Sequence, residues 1–409
     1  MGFHHGLSGL NGASKNLDVI GHNIANSNTV GFKNSRTEFN EMVASAMGAA
    51  SGNNAGIGVS VAAVSQQFSQ GVITPTANGL DMAINGDGFF VVETTSGSEA
   101  FTRAGNFQLD KNGFLITVNG DKVMGNALNP ATGVATVGRA PIRFPSGAGI
   151  PAKQTENIEV SLNLDSRTEL GTNRIANGTS LQVYDSLGNP HSVSLYFEKA
   201  PPSVPGTGNT WNVYDSLSSA TPIGSVTFDT SGKFLSTTPA NLVINVNASG
   251  GAAVTPPPPP GTTFDVTVDL SQATQFGNAF SVSRLSQDGY APGELTGVNV
   301  ATDGTLMASY SNGITRAESR IAMARFTNAQ GLTPAGNNNW EWTADAGPTI
   351  YGNAQSGSFG TIQGSALEES NVDLTAQLVN MMTAQRAYQA NAQTIKTQDQ
   401  IFSTLVNLR

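Results

Sequence analysis

Cysteine is absent from the 409 residues, which excludes disulfides, thiolate metal sites and cysteine nucleophiles together. The same absence suits a protein that passes unfolded through an export apparatus, although many cytosolic proteins share it. Charge is scarce as well. Asp, Glu, Lys and Arg make up 12% of the chain, about half the usual ~25%, which points to extensive protein-facing surface. What charge there is leans acidic, with a formal net charge of -9. That argues against nucleic acid or an anionic membrane as a partner, since both demand basic patches. No apolar run is long enough to span a bilayer, so no membrane insertion is expected. The first ten residues carry neither a basic segment nor an apolar stretch of signal-peptide length, so export would use a route that keeps the N-terminus.

Catalytic patterns are missing too. No HExxH, GxSxG or phosphate-loop sequence occurs. His4 and His5 are adjacent and diverge by about 100° on a helix, so they cannot share a metal without a third ligand. His22 and His191 are isolated. Glu368 with Glu369, and Asp87 with Glu93, read as solvated carboxylates rather than a hydrolytic pair. Asn177-Gly178-Thr179 matches a glycosylation triplet by coincidence. No catalytic residue, cofactor or metal is expected.

What is present begins at the C-terminus. Beyond Pro348 there is no proline and beyond Gly364 no glycine, so nothing forces residues 371–409 out of a helix of roughly 58 Å. Leu374, Leu378, Met381, Tyr388, Ala392, Ile395, Phe402 and Val406 follow a three-then-four spacing, with Gln385 and Asp399 in two slots. The flanks carry amides such as Gln377, Gln389 and Gln393 where coiled coils usually carry Glu and Lys. A helix packed among copies of itself has reason to avoid buried charge; a solvated helix with an accidental amide bias is the alternative. Ser365 with Glu368 offers a capping box, and Asn371 with Asp373 a second way to start the helix.

Near the N-terminus Phe3, Leu7, Leu10, Leu17 and Ile24 repeat the seam spacing, which predicts a matching helix and a chain whose ends meet. Asn26, Ser27, Thr29 and Gly31 then form a helix exit and turn. Phe39, Met42, Val43 and Met47 fall on a helical spacing, while Val59, Val61 and Val64 alternate weakly. From Leu80 onward β-patterns dominate. Asp-x-x-Gly and Asp-Gly turns recur between apolar runs at Asp110, Asp185, Asp229 and Asp303. Calcium is the competing reading of these loops, but none supplies the ligand set of an EF-hand. Between residues 146 and 287, short strands such as 180–184, 193–197, 211–214, 226–228, 242–246 and 264–268 suggest a separate all-β insertion. The run Pro256 to Pro260 is a stiff exposed loop tip, or else a ligand for an aromatic groove.

The run from Leu17 through Gly21-His22-Asn23-Ile24-Ala25-Asn26 to Thr29-x-Gly31-Phe32-Lys33 resembles the shared N-terminal signature of bacterial flagellar rod and hook proteins. Asn371-Val372-Asp373-Leu374, Gln385-Arg386-Ala387-Tyr388-Gln389 and Thr404-Leu405-Val406-Asn407 are similar to the C-terminal signature of that family. Residues 79–115 and the stretch Val183 to His191 also resemble hook proteins. The resemblance implies a multidomain fold, with an α-helical coiled-coil terminal domain made from both chain ends and two mainly antiparallel all-β domains. The expected domains are residues 1–27 with 370–409 as the helical inner tube, and 28–79 with 331–369 as connector. Residues 80–145 with 288–330 are the expected first β-domain, and 146–287 the outer one.

The resemblance further implies a non-enzymatic subunit of a self-assembling, flexible tube that transmits torque outside the cell. The distal rod subunit is the alternative. Implied partners are further copies, the distal rod, hook cap and hook–filament junction proteins, and the flagellar type III export apparatus. Subunit packing is expected from Leu7, Leu10, Leu17, Ile24, Leu378, Met381, Tyr388, Ile395, Phe402 and Leu405. Asn23, Ala25, Asn26, Thr29, Gly31, Phe32 and Lys33 are expected to fix the turn, act in export, or both.

Overall fold

The computed structural model describes residues 2–43, 56–129, 133–136, 138–145, 149–171, 174–201, 209–247 and 263–407. The run Pro256 to Pro260 and Met47 lie outside them, as do the side chains of Phe3, Val43, Leu405 and Val406. The chain divides into two compact units, Met1–Ser146 with Gly297–Ser309 and Thr315–Arg409, and Gly147–Thr296 with Tyr310–Ile314.

The first unit holds a helix from each end of the chain, α1 (Gly2–Ala25) and α2 (Leu374–Asn407). At ~1.5 Å per residue the 34 residues of α2 span roughly 51 Å. Asp373 starts it, not the Ser365–Glu368 box: its Oδ1 accepts the N–H groups of Thr375 (2.8 Å) and Ala376 (3.1 Å), which satisfies two of the orphan donors of the first turn. Glycine on α1 lets the helices approach closely, since a Cβ at Gly6 would meet Ile395 and one at Gly9 would meet Asn391.

The helical spacing of Phe39, Met42 and Val43 misled. These residues lie in β1 (Ser35–Val43), which pairs antiparallel with β2 (Gly56–Gln66), Ser35 standing opposite Gln66. A strand of 9 residues found a partner strand of 11, and pairing overrode the local period.

Two short two-stranded sheets of this unit pair Met82–Asn85 with Thr361–Gly364 and Ile73–Pro75 with Ala366–Glu368, and a larger sheet has Thr333–Gly336, Asn339–Glu341, Glu99–Thr102, Phe89–Glu93, Lys122–Ala127 and Thr315–Ile321 side by side. Phe89, Phe101, Phe326 and Trp340 pack edge to face in its core, with ring centroids 4.7 Å apart for Phe101 and Phe326 and 5.7 Å for Phe89 and Trp340.

The second unit contains an antiparallel meander of Gly178–Tyr184, Pro190–Ala200, Thr210–Tyr214, Gly224–Phe228 and Phe234–Thr238. Its other sheet centres on Asn157–Asp165, which pairs parallel with Thr263–Asp269 and Thr274–Phe276 and antiparallel with Ser281–Gln287. Ile158, Val160, Leu162 and Leu164 alternate inward along that strand and share a buried core with Phe197, Trp211, Phe228 and Ile244.

The expectation of a coiled-coil terminal domain is overturned. The described chain is mostly strand, with one α-helix at each end. Much of the expected seam of α2 is uncovered: Leu378 is 51% and Phe402 57% exposed, while Ala384 is the residue of that helix buried among the described side chains. The residues of α2 that are at least half-buried are Gln377, Met381, Ala384, Asn391, Ala392, Ile395 and Gln398 among the described side chains. Met381, Ala392 and Ile395 of the expected seam are covered whereas Leu374, Leu378 and Tyr388 are not, because spacing locates apolar residues without saying which of them this chain covers. The expectation of two β-domains fits.

Candidate functional site

The two terminal signatures converge at one junction in the first unit. At the end of α1, Asn26 folds back, its Nδ2 donating to His22 O at 2.9 Å, and Thr29 Oγ1 donates to Asn26 Oδ1 at 3.3 Å. Asn23 is almost fully buried and grips the start of β1, its Nδ2 donating to Ser35 O (2.7 Å) and its Oδ1 accepting Ser35 N–H (2.9 Å). Ala25 closes the helix on its exposed side. Val30 O accepts Asn338 Nδ2 at 2.9 Å.

Gly31 has φ of 69°, and an added Cβ would lie 2.5 Å from Ala104 N. Only glycine takes this conformation and this approach without strain. Its N–H donates to Glu368 O at 2.8 Å. Phe32 is buried beside the His22 ring, centroids 5.5 Å apart.

Lys33 follows, and its ammonium is fully buried. It donates to Glu368 Oε1 at 2.5 Å and to Ser69 O at 2.8 Å. Arg103 approaches the other carboxylate oxygen, Nη1 to Oε2 at 3.2 Å, and its Nη2 donates to Gly86 O at 2.9 Å. Gly71 N–H completes the set on Oε1 at 2.9 Å. Burial pushes both Lys33 and Arg103 below their ordinary pKa values, and the Glu368 charge pulls both back up. One carboxylate thus neutralises part of two buried cations and holds a backbone N–H. Glu368 was expected to be solvated; it is 0% exposed. The available signal was the first of two adjacent carboxylates, Glu368 and Glu369, behind Ala366-Leu367, a strand-like pair in a chain with little charge.

Asn371 ties the segment after Lys33 and the Gln67–Ser69 segment to the approach of α2. Its Oδ1 accepts Asn34 N–H at 2.7 Å, and its Nδ2 donates to Gln67 O (2.8 Å) and Ser69 O (3.1 Å). Val372 is half-buried and Asp373 caps α2. Along α2, Leu374, Gln385, Arg386, Tyr388 and Gln389 are exposed, whereas Met381 and Ile395 are partly covered. On α1, Leu7 is exposed, and Leu10, Leu17 and Ile24 are half-buried. The junction therefore collects the turn residues and Asn371, but not the residues expected to pack subunits. Sequence reasoning missed Glu368, Arg103, Gly71 and Asn338 as its partners.

In the second unit, Asp185 organises the turn of the Val183 to His191 stretch. It accepts the N–H groups of Leu187 and Asn189 and the Asn189 side chain at 2.9 to 3.0 Å, with His191 Nε2 at 3.2 Å. Burial alone would raise its pKa, but the bonds from Asn189, His191 and Leu187 outweigh it and hold the carboxyl at about 2. No group of three or more His, Cys, Asp or Glu suited to a metal occurs among the described residues, and among them no helix is long and apolar enough to cross a membrane.

Four family models match. They are the flagella basal body rod protein model at residues 3–33, the flagellar hook protein FlgE/F/G D1 domain at 83–163, the flagellar basal body protein FlaE D2 domain at 163–290, and the flagellar basal body rod FlgEFG protein C-terminal model at 363–408. Flagellar hook protein FlgE of Escherichia coli strain K12 is 39% identical, with 100% of both chains covered. That of Salmonella typhimurium is 38% identical over the same span. That of Borreliella burgdorferi is 32% identical over 99% of each. In fold, the crystal structure of Helicobacter pylori flagellar hook protein FlgE2 matches 72% of this chain and 100% of its own, with a TM-score of 0.53 at 16% identity.

Proposed function

From the premise that this chain belongs to the flagellar hook protein family, we propose that it polymerises into a flexible helical tube that carries torque from the rod to the filament. It is a structural subunit of the bacterial flagellar hook. The reading of a distal rod subunit loses its ground, because relatives named hook protein match end to end, and the match includes the 163–290 domain. The family is structural, and the reading includes no catalytic step.

The observation that carries self-assembly is the apolar surface that α2 leaves uncovered. Leu374, Leu378, Val379, Met382, Ile401 and Phe402 are each between 44% and 57% exposed on a helix that ends the chain. Large apolar side chains so exposed favour burial against another surface at roughly 25 cal/mol per Å², and a further copy is the surface present in excess. A contact between unlike faces of identical subunits propagates as a helix. Bending of that tube requires outer bodies to slide while the inner layer holds, and two separately cored units on one chain suit that division. Leu378, Phe402, Leu374 and Tyr388 of α2, with Leu7 of α1, are the packing residues this reading favours; Leu10, Leu17, Ile24, Met381 and Ile395 serve first to hold the helices within the chain.

The place of the subunit is the hook outside the cell, continuous with the basal body. Its neighbours there are the distal rod, the hook cap and the hook–filament junction proteins, and it reaches them through the flagellar type III export apparatus. The direct test is complementation. The chain, supplied in a strain lacking its hook gene, is expected to restore hooks and swimming; export of the chain with hookless, non-motile cells contradicts the reading.

A further inference from the structure

Without cysteine, the sulfur of this chain is all methionine, nine residues of it. A thioether that solvent reaches is oxidised by peroxides to a sulfoxide, and the fold sorts the methionines by that access. Met82 and Met323 are fully buried, and Met124, Met307 and Met381 are partly covered. Among the described side chains two stand open, Met42 of β1 at 40% exposure and Met382 of α2 at 52%. Met382 lies in the patch that assembly through α2 needs. Leu378 precedes it by one turn and Val379 by three residues, so the three are neighbours on the helix surface, and all are exposed. Arg386 follows one turn later and is exposed too. Asp399, the one acid of α2, lies several turns away from that guanidinium.

We propose that Met382 is an oxidative modification site whose sulfoxide blocks assembly of the free subunit. The inference rests on self-assembly through α2 and names a regulation of that surface. The oxidant is hydrogen peroxide. The sulfur lone pair attacks one peroxide oxygen, an S–O bond forms and the O–O bond breaks. The departing hydroxide takes the proton of the sulfur-bound hydroxyl and leaves as water, so sulfur is oxidised by two electrons and the peroxide is reduced. The product oxygen is a strong acceptor, which water and the Arg386 guanidinium one turn away satisfy on the free helix. Burying it against the apolar surface of another copy strips those donors away and costs free energy. An adhesive patch thus becomes a hydrated one. Once copies cover α2 the same sulfur is shielded, so the modification stops free subunits and spares built polymer.

The test treats the full-length chain with hydrogen peroxide and locates the added oxygen by peptide mass spectrometry. Met42 and Met382 are expected to react ahead of Met82 and Met323, and the critical concentration for polymerisation to rise about tenfold, the worth of one buried apolar side chain. Methionine sulfoxide reductases acting on both epimers are expected to restore it. Met382→Leu, a swap of similar volume, is expected to polymerise alike before and after peroxide, whereas Met42→Leu stays as sensitive as wild type. In preformed polymer Met382 is expected to react more slowly than in the free chain. Unchanged polymerisation of a wild-type chain oxidised at Met382 overturns the modification site and leaves self-assembly standing. So does loss of assembly in peroxide-treated M382L, or protection by M42L. An untreated chain that never polymerises overturns both the site and the self-assembly on which it rests.

Discussion

Lys33 and Glu368, 335 residues apart in sequence, meet nitrogen to oxygen at 2.5 Å with neither side chain exposed beyond 1%. This contact joins the exit of the N-terminal helix to the approach of the C-terminal one. Arg103 brings the body of the first unit to the same carboxylate, so three distant segments depend on one acidic group.

Glu368→Gln leaves Lys33 and Arg103 as buried cations without a counter-charge. Breaking a buried ion pair from one side costs about 3–5 kcal/mol. The loss is expected as reduced amide exchange protection at Gly31 and Gly71, whose N–H groups bond to Glu368. A change below about 1 kcal/mol at those amides would mean that the carboxylate is not what holds the junction.

Gly31→Ala tests the turn by itself. Positive φ disfavours a side chain by roughly 1–2 kcal/mol, and the 2.5 Å approach to Ala104 N adds a clash with backbone that cannot swing away. A net loss above about 2 kcal/mol is expected in chemical denaturation followed at the first unit. An alanine variant as stable as wild type would show that the chain exits α1 by another path.

Asp185 gives the second unit a pH signature. Its folded pKa of about 2 lies below the ordinary carboxyl value of 3.8. Its stabilisation is therefore complete above about pH 4 and drains as the pH falls through 2. Asp185→Asn is expected to flatten the stability of the second unit between those limits. Amide exchange across residues 183–195 from pH 4 to pH 2 reports it, and an unchanged slope counts against the assignment.

Several of these features were legible in the chain and others were not, for physical reasons. Both terminal helices follow from apolar spacing and, at the C-terminal end, from missing glycine and proline. The Gly31 turn follows from its neighbours, and the strands around Val193, Trp211 and Val226 from strand-like runs bounded by Gly, Pro, Ser and Asn. Asn157–Asp165 lies outside the expected strands although Ile158, Val160, Leu162 and Leu164 alternate along it. Glu368 escaped because its partners lie hundreds of residues away, where no local pattern reaches. Phe39 and Met42 show the opposite failure, a local period cancelled by a strand partner. The exposure of Leu378 beside the cover over Met381 was beyond any spacing rule, since both fit one seam and only the packing of α1 separates them.

Leu378→Asp separates folding from assembly. The side chain is 51% exposed in the single chain, so monomer stability is expected to move by no more than about 0.5 kcal/mol. Polymerisation is expected to fail, because a carboxylate would be buried unpaired between copies. Sedimentation of the variant beside wild type measures both states of assembly, and wild-type polymer yield from the variant would remove α2 from the contact.

Electron microscopy of the purified full-length chain under polymerising conditions tests the central claim most directly. Curved, hollow helical tubes built from this chain alone are the predicted result. Straight short rods would point to a rod-type subunit, and a chain that stays monomeric at every concentration would contradict self-assembly.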